Sequence, residues 1–193
     1  MTRLILGSQS PRRKEILEYF SIPFEQISSS FDEDSIAFQN NPEEYVCAIS
    51  QGKAEELARK FPKAIILTAD TIVHKDGKVY GKPKNREEAK DILQQLAGHW
   101  HQVYTGVTVR HAKEHHSSFE RTQVLFHALT PEEIDLYHDK IAWQDKAAGY
   151  AIQQNGSIII RSIEGCYYNV LGLPVHTTKL LLAKVGINLW EHL

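Results

Sequence analysis

Leu4-Ile5-Leu6-Gly7-Ser8-Gln9-Ser10-Pro11-Arg12-Arg13-Lys14 is the stretch on which the reading of this chain turns. Leu4 to Leu6 is a short apolar run and reads as a buried strand. Gly7 and the two serines break it. Ser10 suits a helix N-cap, and Pro11 suits the first helical position, where its missing N–H costs nothing. Ile16, Leu17 and Phe20 then supply the inward face of a helix. The order is strand, tight polar turn, helix, and such a turn is where α/β sheets hold their ligands.

Arg12, Arg13 and Lys14 crowd the first turn of that helix. The helix dipole already places partial positive charge there, so a purely structural rationale would call for carboxylates. An anion docked at the turn reverses the balance, because free backbone N–H groups, the hydroxyls of Ser8 and Ser10 and the guanidinium forks converge on it. The alternative is a solvated basic patch on an amphipathic helix. Neither the phosphate loop, with its closing Gly-Lys-Ser/Thr, nor the dinucleotide Gly-x-Gly-x-x-Gly pattern is present here. The first expectation is an enzyme acting on a phosphorylated small molecule.

The bulk properties narrow the class. With 193 residues, 42% hydrophobic and 24% charged, the chain can bury a sizeable core, and one domain over residues 1–193 with two lobes is expected. The net charge is −2 and no basic tract follows the first turn, which disfavours nucleic acid as a partner. No segment reaches the length of a membrane helix, and the first residues lack the apolar core of a signal peptide. Met1-Thr2-Arg3 reads as leading straight into the core strand. Cys47 and Cys166 are the only cysteines, so no disulfide framework exists and a cytoplasmic protein is expected.

Further along, Phe24 to Ile27 reads as a second strand, Ser28 to Ser30 as a loop, and Phe31-Asp32-Glu33-Asp34 as an acidic cluster that could be a solvated turn. A helix begins near Pro42. Its apolar stripe runs Val46, Ile49, Leu57, and Lys53 falls on the same face, free to snorkel or to point into a cleft. Ala64 to Val73 is the strongest strand signal, interrupted by Asp70. A buried carboxylate needs a cation, a metal or hydrogen-bond donors, the last being the structural alternative. Asp76-Gly77 marks a hairpin turn, and Gly81-Lys82-Pro83-Lys84 a basic loop before a helix over Arg86–Leu96.

His101–Val109 and Gln123–Ala128 read as strands, with His111, His115 and His116 on an exposed hairpin rather than in a metal site. Thr130-Pro131-Glu132-Glu133 opens a capped helix. Ala147–Gln153 is a small-residue loop, Ile158–Ile160 a buried strand, Tyr167-Tyr168-Asn169 a polar-aromatic patch, and Leu173–Val185 a final helix. Strands and helices alternate irregularly with hairpins, which predicts a mixed sheet.

Taken in order, several of these stretches resemble the Maf family of nucleoside triphosphate pyrophosphatases. They are Leu4 to Arg13, Asp32-Glu33, Ala69-Asp70-Thr71-Ile72-Val73, Gly81-Lys82-Pro83-Lys84, Leu96-Ala97-Gly98 and Val103-Tyr104-Thr105-Gly106-Val107, followed by Tyr150-Ala151-Ile152-Gln153, Ile163-Glu164-Gly165 and Val170-Leu171-Gly172-Leu173-Pro174. Each is weak alone, but the ordered set spans nearly the whole chain and is specific. The resemblance implies an elongated, two-lobed α/β fold, a mixed sheet flanked by helices like that of inosine-triphosphate pyrophosphatases. It implies hydrolysis of a nucleoside triphosphate to the monophosphate and pyrophosphate with Mg²⁺ or Mn²⁺, in a cytoplasmic protein that forms a homodimer, with a link to septum formation.

By matched position, the resemblance makes Asp70 the catalytic carboxylate and Glu33 a metal-associated acid, so that Glu33 and Asp70 are the metal ligands. It makes Arg13, Lys53 and Lys82 phosphate-binding cations, and it ties Arg12, Thr71 and Gln153 to substrate choice, with Ser8 at the phosphate turn. The Ala151-Ile152-Gln153 form resembles the branch acting on dTTP and UTP. Three departures stand out. Gly7 replaces the usual Ala, Ala148-Gly149 inverts the common order, and Gln154 stands where Gly is usual. The alternatives are a non-catalytic nucleotide-binding regulator and a pyrophosphatase directed at purines or 7-methyl-GTP.

Overall fold

A computed structural model describes residues 2–193; Met1, at the head of the stretch expected to lead into the first strand, lies outside the described residues. Strand β1 spans Leu4–Gly7 and is buried along its length. The Ser10 side chain accepts from the Arg13 backbone N–H and caps helix α1, Pro11–Leu17, with Pro11 in its first turn. The chain then passes to β2, Phe24–Gln26, through helix α2, Pro42–Lys60, and into β3, Ile65–Lys75. Both β2 and β3 pair with β1 in parallel, on opposite sides of it. Successive crossovers therefore leave β1 in opposite directions, which opens a crevice beyond its carboxyl end.

The remaining strands are antiparallel. Strand β4, Lys78–Tyr80, folds back on β3 through Asp76 and Gly77, both at positive φ, as a tight hairpin requires. Helix α3, Arg86–Leu96, leads to the long hairpin of β5, Trp100–His111, and β6, Glu114–Phe126. Helix α4, Pro131–Lys140, strand β7, Ile160–Glu164, and helices α5, Tyr167–Leu171, and α6, Val175–Ala183, complete the fold. The seven-stranded mixed sheet runs β2-β1-β3-β5-β6-β7, with β4 on β3.

Strand periodicity sorts the core into two layers. Ile5, Ala54, Leu57 and Ile66 pack between the sheet and α2. Leu6, Leu67, Val107 and Phe126 face the other way, toward Ile16, Leu171 and Leu181. Helix α2 lies unusually close to its face. A Cβ on Gly106 would stand 2.4 Å from the Val46 carbonyl carbon and oxygen. One turn on, Ser50 shares a 2.8 Å hydrogen bond with Thr108, and Thr68 donates to the Ser50 carbonyl at 2.7 Å. Small and hydroxylated residues thus replace the usual bulky layer. Gly106→Ala is expected to cost at least about 2 kcal/mol, because backbone cannot yield as a side chain can, and chemical denaturation would read it. An unchanged denaturation midpoint would mean that α2 shifts freely.

Four stretches differ from expectation. Strand β6 begins at Glu114, not at Gln123, and ends at Phe126, and the histidine region is the hairpin that the sequence leads one to expect. His111, His115 and His116 sit at the tip of that hairpin. Strand β7 begins at Ile160, where the sequence suggested that a strand ends; Ile158 is apolar yet 76% exposed, and Gln154–Ile159 is a 3₁₀ segment. The expected final helix over Leu173–Val185 is α6, and a separate short helix precedes it where only a polar-aromatic patch is expected. Tyr167–Leu171 is itself helical, and Gly172, at φ +104°, ends it before α6. Ala147–Gly149, expected as loop, forms a single 3₁₀ turn.

Burial also creates a pH dependence. His101 is fully buried, bonded to the Tyr150 hydroxyl at 3.0 Å and packed edge-on to Phe126, and burial pushes its pKa down to about 4. The unfolded chain takes up a proton near pH 6.5 that the folded state refuses until about pH 4. This contribution to stability is complete above pH 6.5 and falls as the pH drops toward 4, by up to about 1.4 kcal/mol per unit. Urea midpoints between pH 7 and 5 should decline in the parent and decline less in His101→Gln, which keeps an acceptor for Tyr150.

Candidate active site

The crevice at the carboxyl end of β1 is a cavity of about 590 Å³. Residues from both faces of β3 line it, because β1 stops opposite Thr68 and leaves the next residues of β3 uncovered. Asp70 points to the α2 face and Thr71 to the face of α1 and α5, as strand alternation demands. The crevice therefore has two wings with different chemistry.

On the α2 wing, Lys53 lies between two carboxylates. Its Nζ is 2.7 Å from Asp70 Oδ1 and 2.8 Å from Glu33 Oε1. The Lys53 and Asp70 side chains are 11% and 9% exposed, whereas Glu33 is half exposed. Helical side chains lean toward the N-terminus, which aims Lys53 back along α2 at Asp70. The cation that a buried Asp70 requires is thus Lys53. Lys53 engages one oxygen of each carboxylate, and the second oxygens have no hydrogen-bond partner among the described residues. Two hard oxygen donors facing the cavity are of the kind that suits Mg²⁺ or Mn²⁺, ions that take oxygen ligands and keep several waters. Among the described residues no group of three or more His, Cys, Asp or Glu could enclose a metal. The chemistry of the donor set fits an ion shared with a substrate.

Glu33 is placed by a chain of contacts that sequence reasoning missed. The Ser28–Phe31 loop is fastened to α2 through Glu56, which accepts from the Ser29 and Ser30 hydroxyls at 2.9 Å each and from the Ser30 N–H at 3.2 Å. Lys60, ahead of these serine contacts, holds the Glu56 carboxyl at about 2. Phe31 then lies over Gly52, where a Cβ would meet its ring at 2.3 Å. Nothing in the local pattern around Glu56 or Gly52 marks these roles, since both partners are distant in sequence.

On the other wing, Arg13 donates to the Gly172 carbonyl at 2.7 Å, to Thr71 Oγ1 at 3.0 Å and to Ser8 Oγ at 3.3 Å. Burial lowers its pKa, with Asp70 opposing the shift. Three of its five N–H groups are committed, and two remain for an anion. Ser8 is buried at the turn, where its hydroxyl also accepts from the Ser10 N–H at 3.1 Å. Arg12 does not join Arg13 at the turn. It donates to the Asp145 carboxylate at 2.8 Å and to the Asp145 carbonyl at 3.2 Å, which ties α1 to the segment before Ala147. Asp145 is another residue that the sequence did not flag. Lys82 is exposed on the loop after β4, at the rim of the cavity.

Gln153 lines the same wing, and its side-chain amide has no partner among the described residues. Tyr137 fixes the chain beside it. Its hydroxyl donates to the Ala151 carbonyl at 3.1 Å and accepts from the Ala151 N–H at 3.0 Å. Two of the sequence departures fall on left-handed backbone: Ala148 has φ +55° and Gln154 φ +50°. Glycine relieves such a position, so a side chain there is strained. Gly7 is a close-approach position, since a Cβ would stand 2.5 Å from the Leu57 side chain and 2.7 Å from that of Thr68.

The sequence pattern of a family described as Maf-like protein matches residues 3–185. A dTTP/UTP pyrophosphatase of Chlamydia caviae is 44% identical over 192 residues, covering 99% of this chain and 98% of that protein. A protein of the same name from Bacillus cereus is 45% identical over 175 residues, 91% of each chain. Among solved structures, the Ham1 protein of Staphylococcus aureus aligns with a TM-score of 0.50 at 10% identity, over 99% of this chain and 93% of that one, a likeness of fold alone.

Proposed function

The chain belongs to the Maf-like family, and on that premise we propose that it hydrolyses dTTP and UTP to the monophosphate and pyrophosphate. The observation that carries this reading is Lys53 held between Glu33 and Asp70 in the switch-point crevice. A module that only binds phosphate has no use for carboxylates beside it, whereas a hydrolase needs one to orient water. In this reading Arg13, Lys53 and Lys82 neutralise the triphosphate, the charge of which grows on the leaving pyrophosphate. Ser8 and the turn N–H groups hold a phosphate oxygen. Asp70 orients and deprotonates the attacking water through the oxygen that Lys53 leaves open.

Glu33 and Asp70 would hold a divalent cation, Mg²⁺ or Mn²⁺, which supplies further charge neutralisation and a more acidic water. Among the described residues no helix is long and apolar enough to cross a membrane. A cytoplasmic location, a homodimer and a role in septum formation belong to the same reading, supported by the family resemblance. Pyrophosphate release from dTTP, UTP, ITP and 7-methyl-GTP, with and without Mg²⁺, tests it. Release from none of them would identify a regulator, and release from the purines alone would move the substrate class.

The base falls to Gln153. A pyrimidine edge offers carbonyl acceptors and a ring N–H, and one amide answers both. Thr71 and Arg12 bound the same wing. Gln153→Ala is expected to lower the ratio of kcat/KM on UTP to that on ITP by about tenfold or more, because a pocket built to hydrogen-bond one base discriminates by leaving polar groups unpaired. Unchanged ratios would move the base contact to Arg12, Thr71 or backbone.

A further inference from the structure

Two of the three acceptors that hold Arg13 lead back to one buried residue. Thr71 Oγ1 lies 2.9 Å from Thr105 Oγ1, and Thr105 Oγ1 donates to the Asn169 carbonyl at 2.9 Å. A hydroxyl has a single proton, so this order fixes the direction of the whole chain. Arg13 donates to Thr71, Thr71 to Thr105, and Thr105 to Asn169. The second path runs through α5. The Gly172 N–H bonds to the same Asn169 carbonyl at 2.9 Å, and the Gly172 carbonyl accepts from Arg13 Nε.

Asn169 is completely buried, and its side chain fixes it to two strands. Its Nδ2 donates to the Val103 carbonyl on β5 at 3.0 Å and to Thr122 Oγ1 on β6 at 2.9 Å. Thr122 in turn ties the start of α5 through the Cys166 N–H and carbonyl, at 3.0 Å each. Space at the junction is closed as well. A Cβ on Gly172 would stand 3.2 Å from both Arg13 Nε and Thr71 Oγ1. The guanidinium therefore has little freedom that Asn169 does not set.

We propose that Asn169 is a positioning residue for nucleotide hydrolysis: through Thr105 and Thr71, and through Gly172, it fixes where Arg13 presents its remaining N–H groups to the phosphates. The inference rests on Arg13 binding phosphate in the reading above. A misplacement of about 1 Å at a charge-stabilising group can cost up to about a hundredfold in rate. A purely architectural Asn169 would affect stability without any link to Arg13.

A double-mutant cycle on kcat/KM for UTP separates the two. Arg13→Ala is expected to lose about a hundredfold, and Asn169→Ala and Thr105→Val about tenfold each. Placed in the Arg13→Ala background, either second change should cost less than about twofold, because nothing is left to position. Melting temperatures should fall by the same amount in both backgrounds. Losses that multiply fully in the doubles, or singles with parental kcat/KM, would overturn the proposal while leaving Arg13 in its role. Arg13→Ala with parental activity would instead remove Arg13 from phosphate binding, and the positioning role with it. Should Asn169→Ala not fold, Thr105→Val decides, since it conserves shape and breaks only the hydroxyl chain.

Discussion

Asp70→Asn is expected to keep the fold and to lower turnover on dTTP or UTP by at least about a hundredfold, the scale of general-base catalysis. The amide has the shape of the carboxylate, and its oxygen can still accept from Lys53 at the position of Oδ1. The second oxygen becomes an NH₂ group. It can neither accept a proton from water nor hold a cation beside Glu33. Fold and chemistry thus separate at one atom. Turnover on dTTP, measured beside the melting temperature, reads both. A folded variant within about threefold of the parental rate would take Asp70 out of the reaction, since no other buried carboxylate lines the cavity among the described residues.

Lys53→Met should produce the largest loss of stability. Removing one partner of a buried ion pair leaves the other charge unpaid, at a cost of about 3–5 kcal/mol. The Lys53–Asp70 pair is shielded enough for that scale to apply, with side chains 11% and 9% exposed. Glu33, half exposed, can turn to solvent and should add little. Arg13 still faces Asp70 electrostatically, which favours the lower end of the range. The diagnostic experiment is the double variant Lys53→Met/Asp70→Asn. With both charges gone, most of the lost stability should return in urea unfolding. A double no more stable than the single would show that the loss comes from α2 packing and not from a stranded carboxylate.

The parts of this molecule that its sequence discloses are those governed by neighbours in the chain. Ser10, Pro11, Ile16 and Leu17 define the β1–α1 turn through capping and helical spacing alone. Thr130 and Glu133 do the same for α4, with both halves of a capping box present. Asp70 in an apolar run demanded a partner, and Lys53 on an otherwise apolar stripe was free to supply one; the two are 17 residues apart and meet at 2.7 Å. Beyond that, periodicity misled where burial and polarity part company. The first half of β6 is largely polar and carries exposed Phe119, so it lacks a strand's contrast between faces. Ile158 is apolar but exposed, which shifted β7. Helix α5 is five residues long, too short for any helical repeat to show.

Pairings over long separations were silent for a different reason. Arg12 and Asp145 are 133 residues apart, and Arg13 and Gly172 are 159 apart. Neither partner carries a local mark of its role. Gly106 is similar: its need to be glycine comes from Val46 and Cys47 pressing on it from α2. Such positions are dictated by a neighbouring element, and only the assembled sheet reveals the neighbour.

The alternation of Asp70 and Thr71 across β3 has a consequence for how this chain can change over time. The acid and the hydroxyl occupy opposite wings only because β3 holds one register, paired with β5 from Ile65–His111 through His74–Gln102. One residue gained or lost between Ile65 and Asp70 would swap the wings, sending a carboxylate toward Arg13 and a threonine toward Lys53. No single later substitution could restore both. Length variation in descendants of this sequence should therefore collect in turns such as Ala112-Lys113, while the segment from Ile65 to Thr71 stays fixed in length even where its side chains drift.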